Sequence, residues 1–132
     1  MKACILGSSC FNDKLLFKDS VKLMLCDIIN DHFNKHNPIK EIITTTKGVF
    51  SNYISDFLSR NQYPVTLFDA NYQRFGKAAT YMRMKAMIEH CDVLYAFIPV
   101  ISGRKVRSCG IKAACRYAKK LGKEVYLKCV DI

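Results

Sequence analysis

Residues 42–58 read IITTTKGVFSNYISDFL, and they change character part-way along. The stretch begins as a strand, with β-branched residues from Ile42 to Thr46. From Phe50 the spacing lengthens: Phe50, Tyr53, Ile54, Phe57 and Leu58 stand at i, i+3, i+4, i+7 and i+8, the apolar stripe of an amphipathic helix. A short turn joins the two. Where a nucleotide-binding α/β protein normally has several glycines, this turn carries Thr44, Thr45, Thr46, Lys47 and only Gly48. The first amides of the helix and the positive end of its dipole favour an anion there. Threonine hydroxyls can donate to phosphate or ribose, and Lys47 adds a point charge. The plainer alternative is that one threonine caps the helix and the others are strand residues.

The same alternation extends in both directions. KACIL (2–6) is a short apolar run ended by Gly7-Ser8-Ser9, a buried strand and its turn. From about Lys14 to Phe33, Phe17, Val21, Met24, Leu25, Ile28 and Ile29 recur at helical spacing, and Asn37-Pro38 breaks the chain. EIIT (41–44) and VTLF (65–68) read as strands, and DANYQRFGKAAT (69–80) as a polar loop before a helix over 78–90. VLYAFI (93–98) lacks alternation, which predicts a strand buried on both faces. Pro99 to Arg107 reads as a basic loop, Cys109 to Leu121 as a helix stopped by Gly122, and EVYLKCV (124–130) as the last strand. Without a repeat or linker, residues 1–132 read as a single α/β domain. It has a five-stranded parallel sheet, right-handed crossovers and helices on both faces. Such sheets bind ligands beyond the carboxyl ends of their strands.

The formal charge is +10, with Lys and Arg crowded into the second half of the chain. That surplus points to an anionic partner, a nucleotide or a nucleic acid, against the alternative of a surface that is merely basic. Seven cysteines make an odd count with no CxxC pair, and several lie in apolar runs, so they read as reduced, buried thiols. The three histidines have no metal-ligand spacing, and neither a metal nor a cofactor is expected. The longest apolar run is too short for a membrane span, and the opening residues lack the apolar core of a signal peptide. A soluble, cytoplasmic protein is the expectation.

Four segments qualify as site candidates. Gly7, Ser8 and Ser9 follow the first strand, where glycine permits close approach of backbone amides to an anion. The threonine turn is the second. In YQRFGKAATYMRMKAM (72–87), Arg74 and Lys77 suit phosphate, and Arg83 sits on an otherwise apolar helix that must give it a partner. In SGRKVRSCGIK (102–112), Ser108 and Gly110 stand at another helix start beside Arg104, Lys105 and Arg107.

Taken in order, LGSSCFND, EIITTTKG, FDANYQRFGKAA, MRMKAMIEHCDVLYAF and RSCGIKAACRYAKKLGKEVYL resemble the small YspA-like branch of the SLOG superfamily. Its relatives include the DprA proteins and the LOG phosphoribohydrolases. The resemblance spans nearly the whole chain and rests on the ordered set of blocks. It implies a Rossmann-like three-layer α/β/α domain that binds a phosphorylated nucleotide or an NAD- or ADP-ribose-derived ligand. Such proteins are frequent in bacteria and phages, as sensors or processors of nucleotide signals. The branch carries a G-S-R turn after its first strand; Gly7 and Ser8 match, and Ser9 replaces the arginine. Its second turn resembles S-G-G-A-x-G-A-D; here Thr44 stands for the serine, Thr45, Thr46 and Val49 for the glycines, and Ser51 for the aspartate. Arg74, Gly76, Lys77, Ala78, Arg83, Ser108, Gly110 and Lys112 are kept.

The chain therefore retains cations and hydroxyls and has thinned its acids, which favours binding over turnover. The leading expectation is a non-catalytic sensor, or a phage-type anti-defence sponge that captures a nucleotide signal. The first alternative is a nucleotide N-glycosidase or phosphoribohydrolase with Asp69, the one strand-end carboxylate, as its acid. The second is a DNA- or RNA-binding protein. A homo-oligomer can complete the site.

Overall fold

The structure, a computed structural model, describes residues 1–13, 17–35, 40–46, 48–106 and 108–131, the side chains of residues 32, 34 and 35 aside. Strand β4 (Val93–Ile101) is its centre, and Val93 through Ile98 are buried. Continuous apolar sequence here means neighbours on every side. β1 (Lys2–Gly7) pairs with β4 along one edge and β6 (Glu124–Asp131) along the other, both in parallel. β2 (Glu41–Thr45) adds to β1 and β3 (Val65–Phe68) to β2, again in parallel. The long strands thus run β3-β2-β1-β4-β6.

The sheet has six strands, where five were expected. The extra one, β5 (Arg104–Lys105), folds back antiparallel onto Val100 and Ile101. Ser102 and Gly103 make the turn with φ of 52° and 77°, the pair of positive values that a tight primed hairpin turn demands. Val106 N–H donates to the Pro99 carbonyl at 3.0 Å and closes the hairpin. A two-residue strand leaves no alternation to read, so this segment looked like a loop.

Helices α1 (Asp19–Lys35), α2 (Val49–Arg60), α4 (Ala79–His90) and α5 (Cys109–Lys120) connect the strands, with one further turn of helix, α3, at Tyr72–Phe75. The segment 69–80, expected to be a loop, therefore contains α3, and a 3-10 turn at Gly76–Ala78 leads into α4. Asn71 caps α3 by accepting from Arg74 N–H at 3.1 Å. Side-chain alternation along the strands divides the core in two. Ala3, Ile5, Tyr95 and Phe97 face α1 and α2, whereas Cys4, Ile43, Leu94 and Ala96 face α4 and α5. Met24, expected in the α1 stripe, is 37% exposed, because Val21, Leu25, Ile29 and Phe33 define a stripe that leaves it outside. Among the described residues no helix is long and apolar enough to cross a membrane.

The layer against α1 and α2 is aromatic. Phe50 stacks on Phe11 with centroids 5.4 Å apart and lies 6.1 Å from both Phe17 and Phe97. Its ring also covers Gly7: a Cβ there would lie 2.6 Å from ring atoms. Gly7→Ala is expected to cost about 1–3 kcal/mol by overpacking. Phe50→Leu should relieve part of that, so urea midpoints of the double variant will show less destabilisation than the sum of the singles.

Glu41 fastens β2 to its surroundings. The Thr66 hydroxyl, and then His90 at 3.2 Å, hold its carboxyl below the ordinary carboxylate range. A carboxyl depressed in the fold stabilises above its unfolded pKa, about 4.3, and that contribution fades as the pH falls through the folded value. Thr66→Val should therefore lower stability at neutral pH by under about 1 kcal/mol. The difference from the parent should shrink in denaturation curves taken below about pH 4.

Candidate functional site

Between β1 and β4 the order of strands reverses: the chain builds outward through β2 and β3 on one side and through β6 on the other. Crossovers diverge at such a point and leave a crevice beyond the carboxyl ends of the strands. A cleft of about 690 Å³ lies there. Leu6, Gly7 and the Phe50 ring line it as an apolar base. Thr80, Arg83, Met84 and Met87 line it from α4, at the i, i+3, i+4 and i+7 positions of one helical face. Ser108, Cys109, Gly110 and Ile111 contribute the start of α5.

Two longer helices begin at this cleft. Gly48 precedes α2 with φ of 115°, and Ser108 precedes α5; neither supplies a side-chain cap. Among the described residues neither cap side chain takes up a first-turn amide, and both dipoles present their positive ends. The cations add to that field. Arg83 is half-buried, Lys77 is exposed, and neither has a hydrogen-bond or ion-pair partner among the described residues. The described lining contains no carboxylate. Hydroxyls of Ser9, Thr45, Ser51, Thr80, Tyr81 and Ser108 and the amide of Asn12 add to the polar set, with Thr45 and Ser51 hydrogen-bonded to each other. This arrangement can hold an anion and an apolar or aromatic group side by side.

Of the residues singled out in the sequence, Gly7, Ser9, Thr45, Lys77, Arg83, Ser108 and Gly110 line the cleft. The bare Cα of Gly7 accommodates Phe50, a packing role that the sequence did not reveal. Four others lie elsewhere. Ser8 is buried; its amide donates to the Phe97 carbonyl at 2.9 Å and its hydroxyl accepts from Cys10 N–H. Thr44 is buried and donates to the Ile5 carbonyl at 3.1 Å. Thr46 donates to Asp69 Oδ1 at 3.0 Å. Arg74 stacks its guanidinium over the Phe75 ring, 5.1 Å from the centroid. Lys47 lies outside the described residues.

Asp69 is also outside the lining. Its Oδ1 accepts from Thr46 and from Ala70 N–H at 2.9 Å, so the carboxylate ties the end of β3 to the end of β2. Sequence reasoning missed Asn12, Phe50, Tyr81 and Met84 as lining residues. Helical spacing from Arg83 would have found Thr80 and Met87; nothing local marks Asn12, which reaches the cleft because its side chain packs beside Gly48. Among the described residues no three of His, Cys, Asp and Glu gather as metal ligands would.

Compared with protein-family models, curated proteins and solved structures, the chain finds no match.

The Asp69–Thr46 bond yields a direct test of a fastening role. Asp69→Ala and Thr46→Val should each cost about 1 kcal/mol in urea unfolding, and the double variant clearly less than their sum.

Proposed function

We propose that the cleft captures a small phosphorylated nucleotide-type ligand, of the NAD- or ADP-ribose-derived class, and holds it without turning it over. On this reading the domain is a Rossmann-like α/β/α sandwich of the SLOG type, acting in the cytoplasm as a sensor or as a phage-type sponge. One observation carries it: among the described residues, two helix starts without a side-chain cap and two unpaired cations meet in a crevice whose lining has no carboxylate. Converging amides and cations favour phosphate over a neutral ligand. Leu6, Met84 and the Tyr81 ring offer the apolar wall on which a base or nicotinamide packs. A volume of about 690 Å³ accommodates a ligand of nucleotide size.

Capture is favoured over glycoside hydrolysis by the position of Asp69. A phosphoribohydrolase needs a carboxylate near the ribose, and this one is occupied away from the cleft. A cation-lined crevice with helix dipoles aimed inward instead resembles an anion trap.

Isothermal titration with ADP-ribose, NAD and cyclic nucleotides tests the proposal. At least one should bind, and Arg83→Gln should weaken it about tenfold or more, as loss of a charge-assisted hydrogen bond does. Arg74→Gln, outside the cleft, should leave affinity unchanged. No heat from any of these ligands with folded protein would overturn the reading.

A further inference from the structure

The chain has only 11 carboxylates against its 21 Lys and Arg, and three of them share one surface. Asp19, Asp27 and Asp31 lie along the exposed side of α1, with Leu23 between the first two. These positions are i, i+8, i+12 and i+4, one line along a helix. Leu23 is 65% exposed, and Met24 beside it is also exposed. This face is opposite the stripe that α1 buries against the sheet.

A second cleft, of about 570 Å³, has the complementary character. It runs between α5, the β4–β5 hairpin and β6. Lys112, Arg116 and Lys119 line it at i, i+4 and i+7 of α5, and Lys105 lines it from β5. Val106 and Leu127 supply apolar surface, and Leu127 is 46% exposed although it sits in a strand. The described lining has no carboxylate to neutralise these cations.

We infer that α1 of one copy docks its acidic, Leu23-centred face into the basic groove of a second copy. The sign of charge matches across the pair, and so does the length. Asp19 to Asp27 spans about 12 Å of helix axis, and Lys112 to Lys119 about 10 Å. Each charged line also carries an exposed leucine for the other to cover. A nucleic acid would satisfy the lysines and arginine but would leave Leu127 and the acids of α1 without a role. The Asp19–Lys22 pair, 3.7 Å apart on a surface where Asp19 is 97% exposed, is too weak to compete; Asp31 has an interaction of its own, so the contact rests on Asp19, Leu23 and Asp27. Because α1 and α5 cover opposite faces of the sheet, the contact is head-to-tail and extends beyond two copies unless a ring closes.

Sedimentation velocity at about 150 mM salt tests this. There a Debye length of about 8 Å screens the distant repulsion between +10 chains more than close attraction. Average mass should rise as protein increases from about 10 to about 500 µM, the range of a transient interface. Asp19→Lys/Asp27→Lys and Lys112→Glu/Arg116→Glu, each shown folded by circular dichroism, should remain monomeric alone. Mixed in equal amounts they should associate, because the native face that each retains meets its native counterpart and the two swapped faces match as well. If either charge variant fails to fold, Leu23→Ser should reproduce the loss. A parent protein that stays monomeric throughout the range overturns the inference, as does a mixture that fails to associate. Monomeric protein that binds an oligonucleotide, and loses it with Lys112→Glu/Arg116→Glu, assigns the groove to nucleic acid and overturns it equally.

Discussion

The aromatic ring of Phe50 resting on the bare Cα of Gly7 sets the geometry on which the rest of the molecule depends. Gly7 ends β1 and Phe50 is the second residue of α2, so the contact locks the start of one helix against the end of the strand beside the switch point. Phe11, Phe17 and Phe97 then close around the same ring. Full burial of such a side chain contributes about 1.5–3 kcal/mol. Its larger effect is positional: the base of the crevice is apolar and rigid, and polar groups are left to its rim. Gly7, which also lines the cleft, has a phenyl ring packed where a Cβ would stand.

The fold was legible wherever a period was long enough to count. The apolar stripe from Phe50 to Leu58 and the unbroken run from Val93 to Ile98 announced α2 and β4 because helix and buried strand demand different spacings. The β5 hairpin escaped because its signal was one dipeptide, Ser102-Gly103, within a basic stretch. Segment 69–80 escaped because Asn71 caps a helix of only one turn. The cleft was legible in part for a related reason. Thr44 and Thr45 look equivalent as letters, yet a strand turns successive side chains to opposite faces. Thr45 reaches the cleft and bonds the Ser51 hydroxyl at the start of α2, while Thr44 turns away, buried, to bond the Ile5 carbonyl. Knowing which face would be hollow required the packed helices.

Charge is distributed with similar economy. Few acids remain, and several have work on the outside of the sheet. Glu41 meets His90, Asp92 accepts from the amide of Lys2, and Asp69 joins two strand ends. None of these lines the cleft at the switch point, where Arg83 and Lys77 have no partner among the described residues. The same depletion recurs in the groove on the other side of α5. Six of the 21 Lys and Arg line these two concave places, where no carboxylate of the described lining offsets them.

Those two hollows share a wall. Ser108 and Ile111 line both, so the opening turn of α5 is a partition with a guest chamber on each side. Any occupant that steadies this partition from one side changes the free energy of filling the other. Thermodynamic reciprocity makes that influence equal in both directions.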